Sequence, residues 1–184
     1  MNHAHYSLWS RRLHWLTFLL VTLVLILIYG HDWSPKDSAL RAAFKWSHIQ
    51  FGIVLALVVA ARLAVRWGSP TPDIVPPPPA IQMRLARLVQ LVLYALLIAV
   101  PLLGIANRLW SPGDWDFLGF PLPHVPVPDK AYAKQIQEIH GTLGDVLMYL
   151  AAGHAILALV HHFIVRDSTL RGMLPFWGKS SHSR

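Results

Sequence analysis

The sequence predicts an all-α protein, an integral membrane four-helix bundle, on three observations. Apolar residues make up 54% of its 184 residues and charged ones only 14%, with a mean hydropathy of +0.43, too apolar for an ordinary soluble domain of this size. The apolar residues fall into four runs long enough to cross about 30 Å of hydrocarbon as helices. Trp9, Trp15, Trp46, Trp67, Trp110 and Tyr29 sit near the ends of those runs, where amphipathic rings anchor at a membrane interface. Cysteine is absent, which excludes disulfides and every thiolate-bound metal centre.

One membrane domain over residues 1–184 is expected, with spans at about 9–30, 46–67, 85–109 and 139–165. The first, HWLTFLLVTLVLILIYG with its upstream extension, resembles a signal peptide in its Arg pair and apolar run. It has no small-residue cleavage site before His31-Asp32, so it reads as a retained span. The second opens WSHIQFG and closes AARLAVRW. The third carries Pro101 and Gly104, a kink of the kind membrane helices tolerate. The fourth lies within EIHGTLGDVLMYLAAGHAILALVHHFIVR, residues 138–166.

The connections differ in kind. Residues 31–45 are short and polar, and the proline-rich 68–83 cannot be helical and reads as a stiff extended spacer. The loop 110–137 is rich in Trp, Pro and Asp and is long enough to fold over the helix ends as an extracytoplasmic cap.

Four spans put both termini and the proline-rich link on one side. That side holds ten of the sixteen Lys and Arg residues: Arg11, Arg12, Arg62, Arg66, Arg84, Arg87, Arg166, Arg171, Lys179 and Arg184. The positive-inside rule then places both termini in the cytoplasm. The net charge of +7 flanks apolar segments instead of forming a stripe with interleaved aromatics. It suits membrane lipid and gives no sign of nucleic acid.

The chain has eleven histidines. His3, His5, His31, His124 and His182 fall in tails or loops, where a solvated side chain is the plainer reading. The other six lie within or at the ends of spans, where an ionisable residue is a functional hypothesis by default. His140 and His154 are fourteen residues apart, so on one helix they point within about 40° of each other and differ in depth by about 21 Å. Sidedness matches His48 with His140 at the outer end and His14 with His154 at the inner end. Two such pairs at two depths are expected of two bis-histidine haems b stacked between the helices, since a neutral imidazole is a good axial ligand for haem iron. Gly52 and Gly144 each follow an outer histidine by four residues. There they would let a flat macrocycle approach the backbone, although small-residue helix contacts use glycine in the same way.

The chain resembles the short, four-helix bacterial cytochrome b561 proteins over almost its whole length. The resemblance is carried by RLHWLTFLL at 12–20, SHIQFGI at 47–53, ARLAVRWGSPTP at 61–72, YALLIAVPLLGI at 94–105, IHGTLG at 139–144 and GHAILALVHHF with DSTLRGMLP at 153–175. It implies a dihaem, quinone-linked electron carrier of the bacterial inner membrane. Its ligand histidines match His14, His48, His140 and His154, the set already reached from sidedness. One branch of such proteins oxidises superoxide and passes the electron to ubiquinone. The cytochrome subunits of hydrogenases and formate dehydrogenases are similar, but work with soluble partners.

His161, seven residues beyond His154, lies about 20° off its direction and about 10 Å nearer the inner face. It is the candidate for donating a proton at a quinone head group, against the plainer reading of a side chain snorkelling to the interface. Haem propionates need cations, and Arg11, Arg12, Arg62 and Arg66 are inner-side candidates for their fork-like donors. Lys36, Arg41, Lys45 and Lys134 are candidates on the outer side, where they could also steer a small anion. The expected activity is electron transfer from an outer donor such as superoxide to ubiquinone. The alternatives are an electron-transfer subunit serving a soluble redox protein, and a haem-free membrane scaffold.

Overall fold

The computed structural model describes residues 6–69 and 71–174; the predictions touching His3, His5, His182, Lys179 and Arg184 lie outside those residues. Its helices are α1 (Leu8–Trp33), α2 (Ala39–Trp67), α3 (Ala80–Trp110) and α4 (Lys130–Val160), the last continuing into a π-helical turn at His161–Val165. All four are long and apolar enough to cross a membrane, so the all-α, four-helix membrane architecture expected of the sequence is the one observed. A short hairpin, β1 (Asp116–Phe117) with β2 (Phe120–Pro121), lies between α3 and α4.

Helices α1, α2 and α4 start with a side-chain cap, whereas α3 follows Pro79 and has none. Ser7 Oγ accepts the N–H of Ser10 at 3.2 Å, and Ser38 Oγ that of Arg41 at 3.1 Å, each satisfying a donor the helix cannot pair internally. Asp129 Oδ1 does this twice, for Ala131 at 2.8 Å and Tyr132 at 3.1 Å. Helix α4 therefore begins at Lys130, and residues 130–137, placed in the loop by the sequence reading, are helical. Their composition suits it: Ala133 and Ile136, three apart on one face, are buried.

The helices pack as two pairs, α1 with α2 and α3 with α4, joined chiefly through α2 and α3, whereas α4 approaches α1 and α2 only sparsely. Leu20, Val21, Val24, Leu55, Val59, Leu96, Leu97 and Leu147 form the core. Lipid tails are as apolar as leucine, so this core holds the helices by van der Waals fit and not by the hydrophobic effect.

One end of the bundle is tied together by the segment after α4. Arg11 Nη1 donates to Leu174 O at 2.9 Å and Trp15 Nε1 to Met173 O at 2.8 Å. Ser168 N donates to Val75 O at 3.0 Å, and Val75 N to Ser168 Oγ at 2.9 Å. The proline-rich link is thus a strut that gives this segment a fixed edge. At the other end, buried Gln50 donates to Asp116 O at 2.9 Å and accepts from Leu118 N at 2.8 Å. Trp46 Nε1 adds a bond to Asp116 Oδ1 at 3.2 Å, so α2 carries the hairpin of residues 111–129.

Candidate functional site

Histidines from three helices face one another in two pairs. His14 of α1 and His154 of α4 have ring centroids 6.4 Å apart with planes at 70°. His48 of α2 and His140 of α4 have centroids 6.2 Å apart with planes at 87°. With metal–nitrogen bonds of about 2 Å and ring centres about 1.1 Å from their nitrogens, two imidazoles on one metal have centroids about 6.2 Å apart. Both separations match that value. Among the described residues no group of three or more His, Asp or Glu could hold a bare metal ion. The pairs therefore suit a metal that brings its own equatorial ligands, as haem iron does.

The outer pair is set up for ligation through Nε2. His48 Nδ1 lies 2.9 Å from Val24 O and His140 Nδ1 lies 2.9 Å from Val100 O. A carbonyl only accepts, so each proton is on Nδ1 and each lone pair on Nε2. Such bonds fix the tautomer and ring orientation of a ligating histidine. Val100 precedes Pro101, in a stretch where the helix ladder already lacks one N–H.

The inner pair is held differently. Arg62 Nη2 lies 2.8 Å from His14 Nδ1, and its guanidinium carbon stands 5.1 Å over the Tyr94 ring. Guanidinium only donates, so His14 Nδ1 accepts here. The neutral ring then carries its proton on Nε2, so ligation by His14 through Nε2 requires that proton to move to Nδ1 and the Arg62 contact to be given up. Arg12, by contrast, is exposed with its guanidinium 5.6 Å over Trp9, apart from the histidines. One residue along a helix turns about 100°, and it is the neighbouring Arg11 that is buried.

A Cβ built on Gly52 or Gly144 meets nothing within 4 Å, so both adjoin open space. The same holds for Gly141 and Gly153, and openness alone does not single out the four-residue offset. Gly104 is different. A Cβ there would lie 3.1 Å from His140 Cε1, so this glycine makes room for the His140 ring against α3. The sequence reading gave Gly104 only a kink, because the contact joins two helices and no spacing within one helix reveals it.

His161 opens the π-helical turn, and its Nδ1 lies 2.6 Å from Asp167 Oδ2. Asp167 is buried. Burial, the largest single influence, would raise its pKa; hydrogen bonds from His161 and Thr169 outweigh it and hold the carboxyl below its ordinary value. Of the cations expected on the outer side, Arg41 Nη1 donates to His31 O at 2.8 Å and Ser34 O at 3.1 Å, and the exposed Lys134 lies 3.8 Å from Glu138.

Facing imidazole pairs between membrane-length helices define a b-type membrane cytochrome. The model of a family described as prokaryotic cytochrome b561 matches residues 5–176, and the chain belongs to that family. It is 37% identical to cytochrome b561 homolog 1 of Escherichia coli (strain K12) over 163 residues, covering 89% of this chain and 93% of that one. Over 173 residues it is 30% identical to a probable superoxide oxidase CybB of Yersinia pestis, with 94% and 97% covered. Cytochrome b561 homolog 2 of E. coli is 31% identical over 187 residues, with 96% and 93% covered. The chain is accordingly a multi-pass membrane protein of electron transport, and its family implies haem b.

Proposed function

We propose that the chain is a dihaem cytochrome of the bacterial inner membrane, both termini cytoplasmic, moving electrons between an outer-side donor, superoxide, and the quinone pool. The observation that supports this most is the pair of matched separations, 6.4 and 6.2 Å, between imidazoles of different helices. His48 and His140 would hold the outer haem and His14 and His154 the inner one. Bound there, haem supplies a one-electron iron couple at each of two depths. The backbone carbonyls of Val24 and Val100 hold the outer imidazoles in one tautomer, and Gly104 keeps bulk away from the His140 ring, while Gly52 and Gly144 adjoin open space. Arg62 offers a fork of donors to a propionate. His161 would face the quinone near the cytoplasmic side, and residues 111–129 would cap the outer end. The superoxide assignment draws on the name of the Yersinia relative.

A second reading has a specific observation behind it. The shallow outer cleft is lined by Trp46, Asp114, Trp115 and Asp116, and its two carboxylates suit a cationic soluble redox protein better than a small anion. Stopped-flow mixing of the oxidised, purified protein with superoxide, with and without a short-chain ubiquinone, separates the two. Rapid haem reduction that quinone then reverses is expected. No reduction by superoxide, together with a stoichiometric redox protein retained after gentle solubilisation, overturns the first reading. A pyridine haemochrome assay giving no haem would remove both and leave the scaffold.

A further inference from the structure

His161 does not stand alone, and the way it is held is unusual for a helix end. In a continuing α-helix, residue 167 would sit about 120° around and about 9 Å along the axis from residue 161. Instead the backbone widens to π geometry over His161–Val165 and turns left-handed at Arg166, whose φ is 60°. A left-handed non-glycine residue is uncommon, and π turns gather at functional sites. Together they fold Asp167 back so that its Oδ2 meets His161 Nδ1 at 2.6 Å. Asp167 is only 4% exposed, while the His161 side chain keeps 29% of its surface open. Its other oxygen, Oδ1, accepts the N–H of Thr169 at 2.9 Å. Ser168 is pinned to Val75 on both sides, by the 3.0 Å and 2.9 Å bonds, so the carboxylate sits on a braced loop.

We propose that Asp167 is a positioning residue for proton transfer at the quinone site. It holds His161 as the Nδ1–H tautomer, leaving Nε2 as the exchanging nitrogen, and it stabilises the ring when Nε2 is protonated. The proposal rests on reading His161 as the quinone-facing residue. A carboxylate only accepts, so the short bond keeps its proton on Nδ1. The bond also fixes the direction of the ring, so that Nε2 is presented in one orientation. Reduction of one quinone to quinol takes two electrons, from two superoxide anions each oxidised to O2, and two protons. One O–H bond of the quinol forms as the His161 Nε2–H bond breaks. Water at this end of the bundle returns that proton to Nε2 and supplies the second.

The haem-loaded protein, reduced with stoichiometric dithionite, is mixed with a short-chain ubiquinone and its reoxidation followed by absorbance. Asp167→Asn is expected to keep the haem spectrum and to slow reoxidation at saturating quinone at least about tenfold, with little change in the half-saturating quinone concentration. Asp167→Glu should recover part of the rate, which a mere anchor would not require. Nitrogen-15 NMR of histidine-labelled wild-type protein should show His161 protonated on Nδ1. A wild-type His161 protonated on Nε2 alone overturns the proposal whether or not the variants accumulate. So does an Asp167→Asn rate within twofold of wild type when His161→Ala is slow. Should His161→Ala itself reoxidise at the wild-type rate, the quinone reading of His161 has failed and the role of Asp167 falls with it.

Discussion

His48 and His140 face each other with ring centroids 6.2 Å apart, and each is tied through Nδ1 to a backbone carbonyl 2.9 Å away, Val24 and Val100. Those carbonyls belong to α1 and α3, so all four helices have a part in aiming one pair of rings. A single-ring deletion leaves its partner with one axial bond fewer. Changing either His48 or His140 to Ala should therefore remove the same haem, and changing His14 or His154 the other. Low-temperature difference spectra of the four purified variants check this; shared losses by His14 and His48 would contradict the pairing.

Gly104 makes a second prediction. Its missing Cβ would lie 3.1 Å from His140 Cε1, and the His140 ring is also held by Val100 on the same helix. A larger side chain must push the ring off its carbonyl. Gly104→Val should lower outer haem occupancy while the inner haem stays bound, whereas Gly68→Ala, with nothing within 4 Å of the added carbon, should leave both. Haem content per chain and the split of the α band report the outcome.

The fold was legible because lipid imposes one rule on long apolar runs: their backbone must pair internally, which means helix. Candidate pairs were legible for a related reason. Histidines are rare in hydrocarbon, and chain order assigns each one a side, so His14 could only meet His154 and His48 only His140. What could not be read depends on contacts between distant stretches. Asp167 is two residues past the expected end of the fourth span, and only the π turn and the left-handed Arg166 bring it to His161. Arg11 and Arg12 were both candidates, and which of them turns inward depends on where Leu174 lies, which no periodicity records. Lys130 was hidden as a helix start because the sequence reading followed hydropathy, and its first two turns are polar but capped by Asp129.

Gln50 is a buried amide that spends both its groups on the hairpin, on Asp116 O and Leu118 N. Replacing it with Leu leaves a backbone donor and acceptor without partners, at a cost of about 1–3 kcal/mol. The expected result is a loosened residue 111–129 segment above an intact bundle. Limited chymotryptic digestion should cut near Trp115 and Phe117 several times faster in Gln50→Leu; unchanged cleavage would show that Trp46 and Asp116 suffice.

Arg62 meets His14 at 2.8 Å and stacks over Tyr94, so its removal should be felt at the inner pair alone. Arg62→Gln keeps a donor but loses the charge and the second prong. Inner haem content should fall by about half or more, since the propionate proposed to meet Arg62 loses a charged fork of donors. Arg12→Gln, whose side chain lies over Trp9, should retain both haems. Equal losses in the two variants would mean that general surface charge, not the His14 contact, is what matters.

The Asp167 carboxyl gives a pH dependence with a definite sign. Burial acts to raise its pKa, but the bonds from His161 and Thr169 prevail and the folded value lies below the ordinary one, which is about 3.9 in unfolded chains. Proton uptake is then weaker in the folded state, and the stabilisation is fully present above the unfolded value. It is lost as pH falls through the lower folded value. Because Asp167 anchors the segment that ends on Arg11 and Trp15, the loss should show first at that end of the bundle. The gap in thermal inactivation midpoint between wild type and Asp167→Asn should be open at neutral pH and close below about pH 4. A gap that widens in acid would mean that the carboxyl is held above its ordinary range, with burial the winner over its hydrogen bonds.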